Sequence, residues 1–152
     1  MAVQMELSRI LIRELQDTQI IELREVLEGD EDLEEGEFLD GSSEARTFPI
    51  VIGLPEAQAI ERRLKGVVIK RPQTHDLLAS IIERLGGTLE SICINDLSEH
   101  TFFACLRVRS AEGELIEIDS RPSDANALGV ATQVPIEVEE HVLESATNDE
   151  EF

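Results

Sequence analysis

A chain of 152 residues is the size of one domain, and its 41% apolar content can fill one core; with no Trp or Tyr and only five Phe, that core has to be aliphatic. The net charge of −20 is unevenly spread: residues 1–44 carry −11, residues 45–110 carry +2 and residues 111–152 carry −11, so a mildly basic middle lies between acidic flanks. That balance argues against tight nonspecific binding of duplex DNA, leaves room for a small basic site, and no apolar run or basic-then-apolar leader predicts a membrane span or signal peptide.

Residues 3–27 read as two strands joined near Gln16-Asp17-Thr18, with a helix over 5–15 as the rival. Residues 28–44 hold nine acidic side chains and no basic one, which predicts a solvated loop insertion. Pro49-Ile50-Val51-Ile52-Gly53 reads as a short buried strand. Pro55 then opens a helix with Ala57, Ile60 and Leu64 on one face and Gly66 as its stop, and Glu56 suits its N-terminal dipole. Arg62, Arg63, Lys65, Lys70 and Arg71 form the basic cluster, either a solvated helix face or a phosphate-tracking patch.

A second helix starts at Thr74 as its cap and presents Leu77, Leu78, Ile81, Ile82 and Leu85 as an apolar stripe before Gly86-Gly87 ends it. Strands follow at 89–95, 101–109 and 115–119, with Asp96 to His100 and Glu112-Gly113 as turns. A third helix runs through Ala125, Leu128 and Val130, a last strand covers 134–138, and Val142-Leu143 form a helical turn. Hairpin-linked strands with helices inserted between them predict an α+β fold: a mainly antiparallel twisted sheet with three to four helices. We expect one domain over 1–144 and an acidic flexible tail over 145–152. Cys93 and Cys105 are too few for a disulfide framework, which points to reduced thiols and a cytoplasmic setting.

An arginine-proline step occurs twice, in Arg71-Pro72-Gln73-Thr74-His75-Asp76 and in Asp119-Ser120-Arg121-Pro122-Ser123-Asp124, each expected to follow an apolar β-like run and to open a stretch of helical periodicity. The repetition hints at an internal duplication. Each copy gathers a guanidinium, a hydroxyl, a carboxylate and helix-start N–H groups, the equipment of an anion or metal site and equally of a well-capped helix. His75 is a candidate general base or acid. Asp76, Asp119 and Asp124 are candidate catalytic carboxylates and, with Glu117 beside Asp119, candidate ligands for Mg²⁺ or Mn²⁺ if the two junctions meet. Arg71, Thr74, Arg121 and Ser123 are candidate phosphate binders. The bland reading makes the same groups caps and Arg–Asp pairs. No P-loop, nucleophile elbow, dinucleotide-binding glycine pattern or zinc spacing is present.

These two junctions, together with Pro49 to Gly53, Glu56-Ala57, Leu77-Leu78, Thr101-Phe102-Phe103-Ala104 and Pro135-Ile136, resemble the successive motifs of the bifunctional nuclease domain family of bacteria and plants. The resemblance covers roughly residues 47–143. It implies an α+β fold, a homodimer, and nuclease activity on RNA and DNA; our leading expectation is a phosphodiesterase acting on single-stranded or flexible nucleic acid. Asn126 and Gly129 depart from the aliphatic or alanine residues usual in the family, and the acidic insertion is longer than expected. The alternative reading is a dimeric binding or regulatory module in which both Arg-Pro junctions are structural.

Overall fold

The computed structural model describes residues 2–13, 15–26 and 45–148; the acidic segment 28–44 and residues 149–152 lie outside the described residues. Seven strands form one sheet: β1 (Ala2–Leu11), β2 (Gln19–Glu25), β3 (Thr47–Ile52), β4 (Thr88–Ser98), β5 (Thr101–Arg109), β6 (Leu115–Ser120) and β7 (Ile136–Glu139). Their order across the sheet is β3-β2-β1-β7-β4-β5-β6. Every pairing is antiparallel except that of β7 with β4, which is parallel. Helices α1 (Leu54–Leu64), α2 (Thr74–Arg84), α3 (Pro122–Thr132) and α4 (Glu140–Asn148) complete an α+β fold. The strands expected in the first 27 residues are present as a hairpin, so the alternation there won over the rival helix.

Alternation along the strands explains the layering. In β3, Phe48, Ile50 and Ile52 are buried while Pro49 and Val51 face out. In β2, Ile21 and Leu23 are fully buried, and in β4 Ile92 and Ile94 are. These residues, with Ala104, Val108, Ile136 and Val138, form one core with Ala57, Ile60, Ala125, Leu128, Val142 and Leu143 from the helices. The rings of Phe48 and Phe102 stack with centroids 5.5 Å apart, although β3 and β5 are separated by four strands in the sheet order. The sheet therefore curls around the helices until the two sides nearly meet, and α3 lies in the mouth of that curl, touching β3, β4 and β5.

Three local expectations change. The β4–β5 connection is only Glu99-His100, both at positive φ (51° and 64°), and Asp96 belongs to the strand. That is the backbone pattern of a tight two-residue hairpin turn. Of the expected apolar stripe of α2 only Ile82 packs on the core, beside His75 and Ala79, whereas Leu77, Leu78, Ile81 and Leu85 are exposed. Burial of the His75 ring fixes the rotation of the helix and turns the leucines outward. Finally, α4 continues to Asn148 with Ala146 buried, so residues 145–148 extend the helix expected only around Val142-Leu143.

The two departures noted in α3 have different consequences. A Cβ on Gly129 would meet Ile92 Cγ1 at 3.4 Å, an ordinary contact, so the glycine is not demanded by space. Asn126 is fully buried; its Nδ2 donates to the Pro122 carbonyl at 2.8 Å, and its Oδ1 has no partner among the described residues.

Candidate functional site

The two Arg-Pro steps are not equivalent in structure. Pro122 is the first residue of α3 with Arg121 as its cap position, whereas Pro72 stands one residue before the α2 cap, Gln73. Thr74 and Ser123, expected to cap, therefore fall inside their helices. The role expected of Thr74 goes to Gln73, whose own N–H donates to Asp76 Oδ2 at 3.2 Å. Asp76 and Asp124 both occupy the third helical position, where a carboxylate is favoured by the free N–H groups and the dipole.

The helix starts converge. His75 Nε2 lies 3.0 Å from Asp124 Oδ1, and Arg121 Nε donates to Asp124 Oδ2 at 2.9 Å. Arg121 Nη2 also donates to Glu56 Oε1 at 2.7 Å. Glu56 sits in the first turn of α1, buried, and a Cβ on Gly53 would come within 2.7 Å of its Oε2, so that glycine makes room for the carboxylate. The chain His75–Asp124–Arg121–Glu56 thus ties α2, α3 and α1 together. Arg121 is held more firmly charged than a free arginine, first by Asp124 and then by Glu56.

With the Asp124 carboxylate as acceptor, Nε2 is the donor, and in the neutral ring the lone pair is then on Nδ1. The His75 side chain is only 10% exposed, and it lines a cleft of about 130 Å³ between α1, α2 and α3. Arg62 and Arg63, from the last turn of α1, line the same cleft with Gln73, Thr74 and Asp76. Arg62 Nη2 donates to Gln73 Oε1, and Arg63 has no partner among the described residues. Lys70 and Arg71 are exposed nearby in sequence, between α1 and α2. A base oriented by a carboxylate, in a cleft also lined by two arginines, can accept a proton near a bound phosphate.

Other expected site residues lie elsewhere. Asp119 is opposite Cys105 in the β5–β6 ladder, on the side of the sheet away from Ala104 and the helices. It makes no bond to the His75 network. Glu117 shares that outer face, as anticipated, and accepts from Cys105 Sγ at 3.5 Å. Cys93 and Cys105 are cross-strand neighbours there, free and buried beside Arg107, Glu137 and Glu139. Burial pushes the Cys93 thiol up to about 12 and raises Cys105 as well. Ser123 and Arg121 line a different cleft from that of His75.

The residues present do not fit a metal held by the protein alone. Both oxygens of Asp124 are engaged, Asp76 accepts the Gln73 N–H, and Asp119 faces the far side of the sheet. Among the described residues, no three His, Cys, Asp or Glu side chains gather as a ligand set.

The model of the bifunctional nuclease domain family matches residues 38–151, three-quarters of the chain. The chain belongs to the bifunctional nuclease domain family. Two curated relatives, the uncharacterized proteins MT1877 and Rv1829 of two Mycobacterium tuberculosis strains, are each 44% identical to it over 101 residues. Those alignments cover 66% of this chain and 59% of each relative. The family match takes in every member of the His75–Asp124–Arg121–Glu56 network and both cleft arginines. The sequence marked Glu56 as a dipole partner and as part of a family motif, without a site role; the glycine three residues before it was the available signal of a carboxylate packed against it. No helix among the described residues is long and apolar enough to cross a membrane.

Proposed function

We propose that this domain hydrolyses phosphodiester bonds of single-stranded or flexible RNA or DNA in the cleft that His75 lines. The observation that carries the reading is the largely buried imidazole that pairs with Asp124 through Nε2 and lines the same cleft as Arg62 and Arg63. In this mechanism Nδ1 takes the proton of the attacking hydroxyl or water as its oxygen bonds to phosphorus, and the P–O bond to the leaving oxygen breaks, that oxygen taking a proton from water. Asp124 stabilises the imidazolium that forms, and the arginines balance charge on the phosphate. The basic cluster also supplies local attraction in a chain of net charge −20. Arg71 and Thr74 at the same helix entrance would guide the strand.

The test is cleavage of fluorescent single-stranded RNA and DNA, with Mg²⁺, Mn²⁺ and EDTA arms, since a cation shared between one carboxylate and the substrate's own phosphates needs no three-residue set. Reversing Arg62 and Arg63 to Glu should raise KM at least about tenfold, the worth of one lost phosphate contact or more. An unchanged KM would remove the cleft from the account.

A second reading has its own support. Arg121 bonds carboxylates on α1 and α3 at once, as an internal staple would. On that reading the domain is a non-catalytic binding or regulatory module, and no turnover appears in any arm. Either way we propose a homodimer, through the exposed Leu77, Leu78, Ile81 and Leu85 stripe on the helix that carries His75.

A further inference from the structure

A second cleft, of about 470 Å³, opens on the other side of the α3 start, and it holds neither His75 nor the cleft arginines. Its floor is Ser123, only 7% exposed, whose hydroxyl has no partner among the described residues. The hydroxyl is not sealed from the cleft, so it is available to a ligand atom as donor or acceptor. The α3 N-terminus ends at the same place. Pro122 has no N–H, Ala125 N–H is taken by the Arg121 carbonyl, and no side chain caps the helix, which leaves the N–H groups of Ser123 and Asp124 free. The Nη1 of Arg121 makes no bond among the described residues either, and Arg121 lines the cleft.

The start of a helix with uncapped N–H groups, the Ser123 hydroxyl and the Arg121 guanidinium line one cleft, a set that suits an oxyanion. Its charge is limited by the surroundings. Asp124 and Glu56 already share Arg121, and Asp17 stands on the rim, so a single negative charge is matched better than two. The remaining walls are apolar, with Ile50, Ile52 and Phe102, and the rim is polar, with Thr18, His100 and Thr101. We infer that this cleft is a binding site for a monoanionic oxyanion, a phosphodiester or a carboxylate, carried on an apolar or planar body. The site stands independently of the nuclease reading, because its ligand need not be turned over.

Calorimetric titration of the whole chain separates the sources. Cyclic 3′,5′-AMP represents a phosphodiester monoanion and N-acetylphenylalanine a carboxylate; 5′-AMP, adenosine and N-acetylphenylalanine amide test charge. Saturable binding of either monoanion is expected, at least about tenfold tighter than its neutral analogue and tighter than the dianion. Thr101 is exposed at a strand end, so Thr101→Glu adds a charge at the rim without threatening the fold, and should weaken binding by a further factor of about ten. Ser123→Ala should weaken it as well. No saturable heat up to ~10 mM, equal binding of the neutral analogues, or an unaffected Thr101→Glu variant would each overturn the site.

Discussion

Asp124→Asn isolates the charge at the centre of the network while keeping its shape. Asp124 takes bonds of 2.9 Å from Arg121 and 3.0 Å from His75. A bond to an ionised group contributes about 1.5–3 kcal/mol and a neutral one about 0.5–1.5, so neutralising the carboxylate loses about 1 kcal/mol on the half-buried His75 arm. The Arg121 arm adds little, because that side chain is 69% exposed and its charge is screened. Loss of a carboxylate from the first turn of α3 adds about 0.5 kcal/mol. The expected cost is about 1.5 kcal/mol, a fall in Tm of about 3–6 °C for a domain of this size. In the cleavage assay kcat should fall about 10²–10⁴-fold, since the amide no longer stabilises the imidazolium. Melting followed by circular dichroism, beside single-turnover cleavage, reads both. A Tm within about 1 °C of the parent would mean the network is not formed as described, and an unchanged kcat would remove Asp124 from catalysis.

Arg46 bonds Glu25 Oε2 at 2.8 Å and Glu140 Oε1 at 2.8 Å, clasping β2 to the start of α4. Its hydrogen bond holds the Glu25 carboxyl below the ordinary 4.5. A depressed carboxyl contributes stability that is present above the unfolded value and lost as pH falls through the folded one. Arg46→Ala should therefore cost about 1–2 kcal/mol at neutral pH, with the gap to the parent closing below about pH 4 in urea titrations; a gap independent of pH contradicts the assignment. Gly129→Ala should stabilise by about 0.5–1 kcal/mol through helix propensity, because the added methyl meets Ile92 at 3.4 Å. A loss of more than about 1 kcal/mol would show α3 seated more tightly on β4 than that. Ile81→Glu should convert a dimer to a monomer in light scattering, and a monomeric parent would dismiss the proposed interface.

Strand alternation made most of the sheet legible, because a buried face writes itself into every second residue, as in Phe48, Ile50 and Ile52. Connectivity between strands was not: nothing local marks that β7 inserts between β1 and β4. The rotation of α2 was hidden for a related reason. Its apolar periodicity is clear, but one buried histidine decides which side faces in, and its partner Asp124 is 49 residues away. The same distance concealed the network, although His75, Asp124 and Arg121 were each singled out from their motifs. Asp119 shows the converse. Its pairing with Glu117 on one face was readable from parity, but which side of the sheet that face occupies depends on where the helices pack.

The most direct test is the cleavage rate of His75→Ala against the parent protein, purified identically and matched for melting temperature, on single-stranded RNA and DNA. Clear cleavage by the parent and a loss of about 10²–10⁴-fold in the variant are expected, with the Asp119→Ala protein retaining the parent rate. Equal rates from parent and His75→Ala proteins would contradict the proposed mechanism and leave the Arg121 network as a structural staple.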